Sequence, residues 1–248
     1  MPEALLFAAL GAASLVTSFI SGILGMAGGM ILMGVLLALL PLPAAMMLHG
    51  VTQLAANGWR ALLWRREVDW RVFRGYAYGA AASLAFFAAV RLVVGKPAAL
   101  IALGITPFAT MWLPEGLHLN VQRRGHPLAC GLACSALSLT AGVSGPLLDV
   151  FFVRSMMRRH AVVATKAMTQ SFSHLTKIFY FGAVISLEGG RVEPHLAALM
   201  VVLAVAGTLL SRRVLERMND ASFRRWTRWT VLALGAVYLG KGLAMVLR

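Results

Sequence analysis

The chain has 248 residues, of which 59% are apolar and only 13% charged, and its mean hydropathy is +0.77. A soluble core of this size does not need so much apolar surface, and repeated apolar runs of about 20 residues predict an all-α polytopic membrane protein in a lipid bilayer. The net charge of +14 raises the question of nucleic acid, but the basic residues sit in short tracts between apolar runs and carry no nucleic-acid-binding motif, which excludes that class and points to cytoplasmic loops.

Apolar spans are predicted at about 4–24, 29–41, 44–64, 72–94, 98–113, 127–142, 146–154, 161–187, 195–211 and 226–247. The first stretch, "MPEALLFAALGAASL", has no basic n-region, so it reads as the start of a span and not as a signal peptide. It ends in "GILGMAGGM" (22–30), a glycine break inside apolar sequence. Such a break frees backbone groups that lipid cannot satisfy, so it must be buried in protein or line a watery cavity.

The third span holds "HGVTQLAANGWR", residues 49 to 60. On a helix, His49, Thr52, Gln53, Asn57 and Arg60 fall within an arc of about 140°. The basic tract "WRREVDWRVFR" follows, and the tryptophans Trp59, Trp64, Trp70, Trp112, Trp226 and Trp229 cluster near span ends as interfacial anchors. Cys130 and Cys134 lie one helical turn apart as small packing residues, with neither a disulfide framework nor a metal site implied. A second break, "TAGVSGP" (140–146), precedes Asp149, the one clear acid within a span. Another polar stripe, Lys166, Thr169, Gln170, Ser173, His174 and Lys177, occupies the eighth span.

The two breaks are related. At an ungapped offset of 117 residues Gly25 meets Gly142, Gly28 meets Gly145, Thr52-Gln53 meets Thr169-Gln170, Asn57 meets His174 and Arg60 meets Lys177. This predicts a duplication, with a first repeat over 1–118 and a second over 119–248. The loop at 41–45 is uncharged, whereas its counterpart near 154–160 holds Arg154, Arg158 and Arg159. The loop at 65–74 holds four arginines, and its counterpart "EGGRVEP" is slightly acidic. Equivalent loops therefore prefer opposite sides, which predicts two inverted repeats. Each would have a glycine-broken helical hairpin followed by three transmembrane helices, turning at Gly25–Gly29 and at Gly142–Pro146. Both termini would lie outside, as would the 91–97 loop despite Arg91 and Lys96.

Ionisable groups within spans usually face the bundle interior or a water-filled path. A lone Gln or Thr reads as interhelical glue, but two matched stripes beside glycine breaks read as walls of a site. His49, Lys166, His174 and Lys177 make the balance positive, which suits an anion. Half-helix N-termini near Gly28, Gly29, Ser144 and Gly145 would add backbone donors. Asp149 reads as a helix-dipole partner and counter-ion for Lys166, or as a proton-coupling group. No catalytic constellation stands out: "GVSGP" is not a nucleophile elbow, and the six histidines lack zinc spacing. Neither an enzyme nor a cofactor or metal site is expected.

"GILGMAGGM", the basic loop ending in "VDWR" (68–71) and the second turn "AGVSGP" resemble the TauE/SafE sulfite exporter family over about residues 10 to 247. The resemblance implies a bacterial inner-membrane, multi-pass transporter for sulfite, sulfonates and related organic anions. It also implies that Gly25, Gly28 and Gly29, with Gly142, Gly145 and Pro146, form paired turns at the translocation site. The sequence departs from the commoner pattern in having no proline near the first turn, and in "LHGVTQ" and "ATKAMTQ" where simpler small and hydroxyl residues are usual.

The expectation is a secondary transporter exporting sulfite or an organosulfonate by alternating access, with the lipid bilayer and a small anion as partners and a homodimer compatible with it. The expected binding residues are Gly25, Gly28, Gly29, His49, Thr52, Gln53, Asn57, Gly142, Ser144, Gly145, Lys166, Thr169, Gln170 and His174, with Asp149 for coupling. Alternatives are a lactate-like carboxylate transporter, a thiosulfate-type importer using Cys130 and Cys134, and a non-transporting membrane accessory subunit.

Overall fold

The computed structural model describes residues 2–24, 26–112, 119–185, 192–215 and 220–247. Gly25, residues 113–118 of the central loop, and residues 186–191 of the "EGGRVEP" loop therefore lie outside the described residues. Within them the chain is helical, with no strand. The helices are α1 (Glu3–Leu24), α2 (Met26–Leu39), α3 (Leu42–Leu63), α4 (Trp70–Val90), α5 (Lys96–Met111), α6 (His126–Thr140), α7 (Gly145–Phe152), α8 (Arg159–Phe179), α9 (Pro194–Leu215) and α10 (Asp220–Val246). A 3-10 turn, Arg65–Glu67, follows α3, and α8 runs into a π-helical turn, Tyr180–Val184. Each expected span corresponds to one helix, with shifted ends.

Three helical stretches, Glu3–Ile23, Pro194–Ser211 and Arg225–Val246, are long and apolar enough on their own to cross a membrane. α3 and α8 are as long, but their polar residues point inward. α8 buries Thr165, Thr169, Ser173, His174 and Lys177, while Leu175 and Phe179 on its other side are more than half exposed. Polar inside and apolar outside is the reverse of a soluble helix, and it is what a hydrocarbon surround requires.

The principal helix pairs are α1 with α9, α4 with α6, α5 with α10 and α3 with α8. Exchanging α1–α5 for α6–α10 leaves this set of pairs unchanged. The crossings are close because small residues face backbone. A Cβ on Gly79 of α4 would lie 2.0 Å from the Leu128 carbonyl oxygen of α6. In the exchanged pair, a Cβ on Gly207 of α9 would lie 2.3 Å from the Leu15 carbonyl oxygen of α1.

Side-chain contacts sort the loops into two ends. At one end Trp64 stacks on His160 with ring centroids 4.8 Å apart. There the Asp69 amide also donates to Thr165 Oγ1 (2.9 Å), and Asn120 Nδ2 donates to the Arg154 carbonyl (2.8 Å). This end gathers Arg65, Arg66, Arg123, Arg124, Arg154, Arg158 and Arg159. At the other end Arg91 Nη2 donates to the Val184 carbonyl (2.8 Å) and Lys96 Nζ to the Leu40 carbonyl (3.3 Å). The two cations of the 91–97 loop thus cap C-terminal carbonyls of neighbouring helices, where the helix dipole favours them.

The first break differs from expectation. α1 ends at Leu24 and α2 begins at Met26, so Gly28 and Gly29 are helical residues of α2 and not part of a turn. A Cβ at Gly28 would fall 2.0 Å from the Thr17 carbonyl oxygen, so this glycine lets the two arms of the hairpin close. The second break is a true loop, residues 141–144, between α6 and α7.

Gly79→Ala is expected to force α4 and α6 apart and cost roughly 1–3 kcal/mol, as overpacking of a close contact does. A fall of several degrees in the thermal unfolding midpoint in detergent checks this, with Gly240→Ala, a position where a Cβ meets nothing within 4 Å, as the neutral comparison.

Candidate functional site

A cavity of about 310 Å³ lies between α3 and α8. On α3, His49, Gln53, Asn57 and Arg60 follow at steps of four, four and three residues, so they share one face. Lys166, Gln170, His174 and Lys177 repeat those steps on α8. His49, Gln53, Asn57 and Arg60 line the cavity, as do Lys166, Gln170 and His174. Gly29 of α2 and Ser144, Gly145 and Asp149 at the start of α7 complete the wall.

Four expected site residues lie elsewhere. Thr52 Oγ1 donates to the Leu48 carbonyl (2.7 Å) and Thr169 Oγ1 to the Lys166 carbonyl (2.9 Å), so both hydroxyls are spent within their own helices. Gly28 packs against α1, and Gly142 sits behind the wall. Gly25 is outside the described residues.

The deep end of the cavity is closed by a chain of polar contacts. Lys177 Nζ lies 2.7 Å from His49 Nδ1 and donates to the Gly142 carbonyl at 2.8 Å. An ammonium has only donors, so His49 Nδ1 accepts and the ring proton sits on Nε2. Nε2 is 3.0 Å from the Gly29 carbonyl, the acceptor that this tautomer needs. Gly142 has φ +83°, and a Cβ there would lie 2.7 Å from Met33 Sδ. Both the left-handed backbone and the space restrict the position to glycine. Lys177 is 0% exposed and has no carboxylate partner among the described residues.

Lys166 has the counter-ion that the sequence offered as one reading of Asp149. Its ammonium is ion-paired with the Asp149 carboxylate, and both side chains are partly exposed to the cavity. This cation of the cavity wall therefore starts with its charge already countered. Asp149 lies one turn into α7, on the inner wall.

Three buried polar atoms on lining residues have no hydrogen-bond partner among the described residues: Gln53 Nε2, Ser173 Oγ and His174 Nδ1. Buried polar groups are normally satisfied, so unpartnered ones on the residues of a cavity wall mark where a small rotation would let a ligand or water bond. The rings of His49 and His174 approach to 5.6 Å between centroids, bringing the two stripes together. Toward the arginine-rich end the wall is formed by Arg60, Arg159, Val162 and Val163. Arg159 and Val163 are exposed, so this is the mouth. Arg60 Nη1 reaches Asn57 Oδ1 at 3.4 Å, so the arginine follows the wall of the cavity.

Ser21 and Gly22 of α1 also line the cavity; Gly22 opens the first glycine break, whereas Ser21 was not singled out in the sequence. Ser21 meets Ser138 at the 117-residue offset, and that serine pair was the signal available. Cys130 and Cys134 are buried among Val72, Tyr76 and Ala80 and do not line the cavity. Among the described residues no group of three or more His, Cys, Asp or Glu could hold a metal ion.

The family model described as "Sulfite exporter TauE/SafE" matches residues 10–238, nearly the whole chain. No curated protein and no solved structure matches it. The inside-out polarity, the apolar helices and this match agree on a membrane transporter: the chain belongs to the TauE/SafE sulfite exporter family.

Proposed function

We propose that the protein is a secondary transporter that exports a small sulfur oxyanion, sulfite or an organosulfonate, across a bacterial inner membrane by alternating access. It would be a multi-pass protein of two inverted repeats, 1–118 and 119–248. The observation that carries this reading is a cavity lined by two polar stripes with the same residue steps on α3 and α8, which put Gln53, Gln170 and His174 on its wall.

The architecture supports the repeat. The helix pairing survives exchange of the halves. The loops at 41 and 154–160, which correspond at the 117-residue offset, belong to opposite ends of the bundle. With the arginine-rich end in the cytoplasm, as the positive-inside rule requires, the cavity opens inward and both termini lie outside.

The chemistry supports an anion. An oxyanion between the walls would take hydrogen bonds from the Gln53 and Gln170 amides and from a neutral His174 that donates through Nδ1. The first turn of α7, at Ser144 and Gly145, adds its positive dipole end. Lys166 is shared: the anion and the Asp149 carboxylate compete for one ammonium. A proton taken up by Asp149 would release Lys166 to the anion, which makes Asp149 the proposed coupling group.

Counterflow in proteoliposomes tests the reading. Labelled sulfite and methanesulfonate are expected to exchange, and lactate much more slowly. Gln53→Ala and Gln170→Ala should each lower exchange by about tenfold or more, because a hydrogen bond to a charged group is worth about 1.5–3 kcal/mol and about 1.4 kcal/mol is tenfold. Lactate exchanging faster than sulfite would favour the carboxylate transporter. No movement of any anion, with Gln53→Ala and Lys166→Ala both silent, would leave the accessory-subunit reading. The Cys130→Ser/Cys134→Ser double variant is expected to transport at the parent rate, and its failure would favour the thiol-dependent importer.

Orientation is checked in intact cells with an impermeant maleimide on that cysteine-free background. Val93→Cys is expected to label and Arg66→Cys to stay unlabelled until the cells are opened. The reverse pattern would invert the assigned topology.

A further inference from the structure

Every residue at the cavity mouth has a counterpart at the opposite end of the bundle, and the counterparts are sealed. At the 117-residue offset Val163 pairs with Met46, Val162 with Ala45 and Arg60 with Lys177. Val163 is 38% exposed, whereas Met46 and Ala45 are both 0%. Arg60 lines the open mouth, whereas Lys177 is fully buried and tied to His49 Nδ1 and the Gly142 carbonyl. The sequence relation therefore joins two surfaces in opposite states, one open and one shut.

The shut side is held by groups suited to letting go. A buried ammonium is costly unless it is fully bonded. Here its acceptors are a ring nitrogen and a backbone carbonyl, and no carboxylate is among them. Moving Lys177 into water would return its hydration. Its bond to His49 also links it to the cavity, because the same ring lines the wall and donates from Nε2 to the Gly29 carbonyl. An anion seated beside that ring competes for the Nε2 proton, and turning the ring withdraws Nδ1 from Lys177.

We propose that Lys177, His49 and Gly142 form a latch that seals the arginine-poor end of the path, and that on release Lys177 becomes the anion-attracting cation of a second, outward-facing mouth bordered by Ala45 and Met46. Arg60 has that role at the arginine-rich end. This rests on the transport reading above, and names the residue that meets the anion on the far side.

Two cysteine reporters on the Cys130→Ser/Cys134→Ser background test it, each labelled with an impermeant maleimide from one side. Val163→Cys reports the inner mouth and Met46→Cys the outer one. In the parent, Val163→Cys is expected to label well from inside and Met46→Cys poorly from outside. Lys177→Gln should raise external labelling of Met46→Cys roughly fivefold or more and lower internal labelling of Val163→Cys, the signature of a shifted population. Lys177→Arg, which keeps a cationic donor, should stay near the parent. If Lys177→Gln does not fold, His49→Phe, which keeps a ring of similar shape and removes the acceptor, must give the same shift. Labelling that neither variant moves, or Met46→Cys as reactive as Val163→Cys in the parent, overturns the latch. Counterflow on the same preparations separates the failures. Exchange with unmoved labelling sinks the latch alone, and moved labelling without exchange sinks the anion reading alone.

Discussion

A single buried ammonium ties together the parts of this protein that matter. Lys177 of α8 reaches His49 of α3 and the carbonyl of the α6–α7 loop, and His49 passes the contact on to α2 through Gly29. Both polar helices and both broken hairpins therefore meet at one point. None of these groups is satisfied by lipid, so the bundle must supply every acceptor from within. That requirement explains why Gly142 is a glycine, why His49 takes one tautomer, and why α3 and α8 pack face to face although their contact faces are polar.

Much of this architecture was legible in the sequence, because hydrocarbon imposes a simple rule on helices. Apolar runs located all ten, and the offset of 117 residues linked the two polar stripes that form the cavity. The helix interior around Gly28 and Gly29 was misread as a turn. A glycine that breaks a helix and a glycine that lets two helices touch look alike until the facing Thr17 carbonyl is seen. Thr52 and Thr169 were misread for a related reason: a hydroxyl can bond the carbonyl of its own preceding turn, so a polar residue on the right helix need not face the site. The ion pair between Lys166 and Asp149 was foreseen as one reading of Asp149. The sealing of Lys177 was not, because depth along a path depends on which end of the bundle is open.

The two polar stripes match in spacing and differ in charge. His49 in the first half stands where Lys166 stands in the second, and Leu32 where Asp149 stands. The α7–α8 side thus carries a cation and its counter-ion on the inner wall, while the α3 side offers the polar side chains of His49, Gln53 and Asn57 there and places its cation, Arg60, at the mouth. In the proposed transporter, an oxyanion between them would meet a charged wall and a hydrogen-bonding wall, a division that would let one side set affinity while the other reads the arrangement of oxygens.

The helix pairing has a bearing on how such a chain can arise. α1 finds its principal partner in α9 and α6 finds its own in α4, so each hairpin is housed by the opposite half. A polypeptide of half this length would leave the face of its first helix bare, with close-approach glycines opposite nothing. On the inverted-repeat reading proposed above, it would be complete only beside a second copy threaded through the bilayer in the opposite direction. A fused chain would make that antiparallel pairing permanent and leave each half free to acquire its own charges, as Asp149 and Lys166 would illustrate.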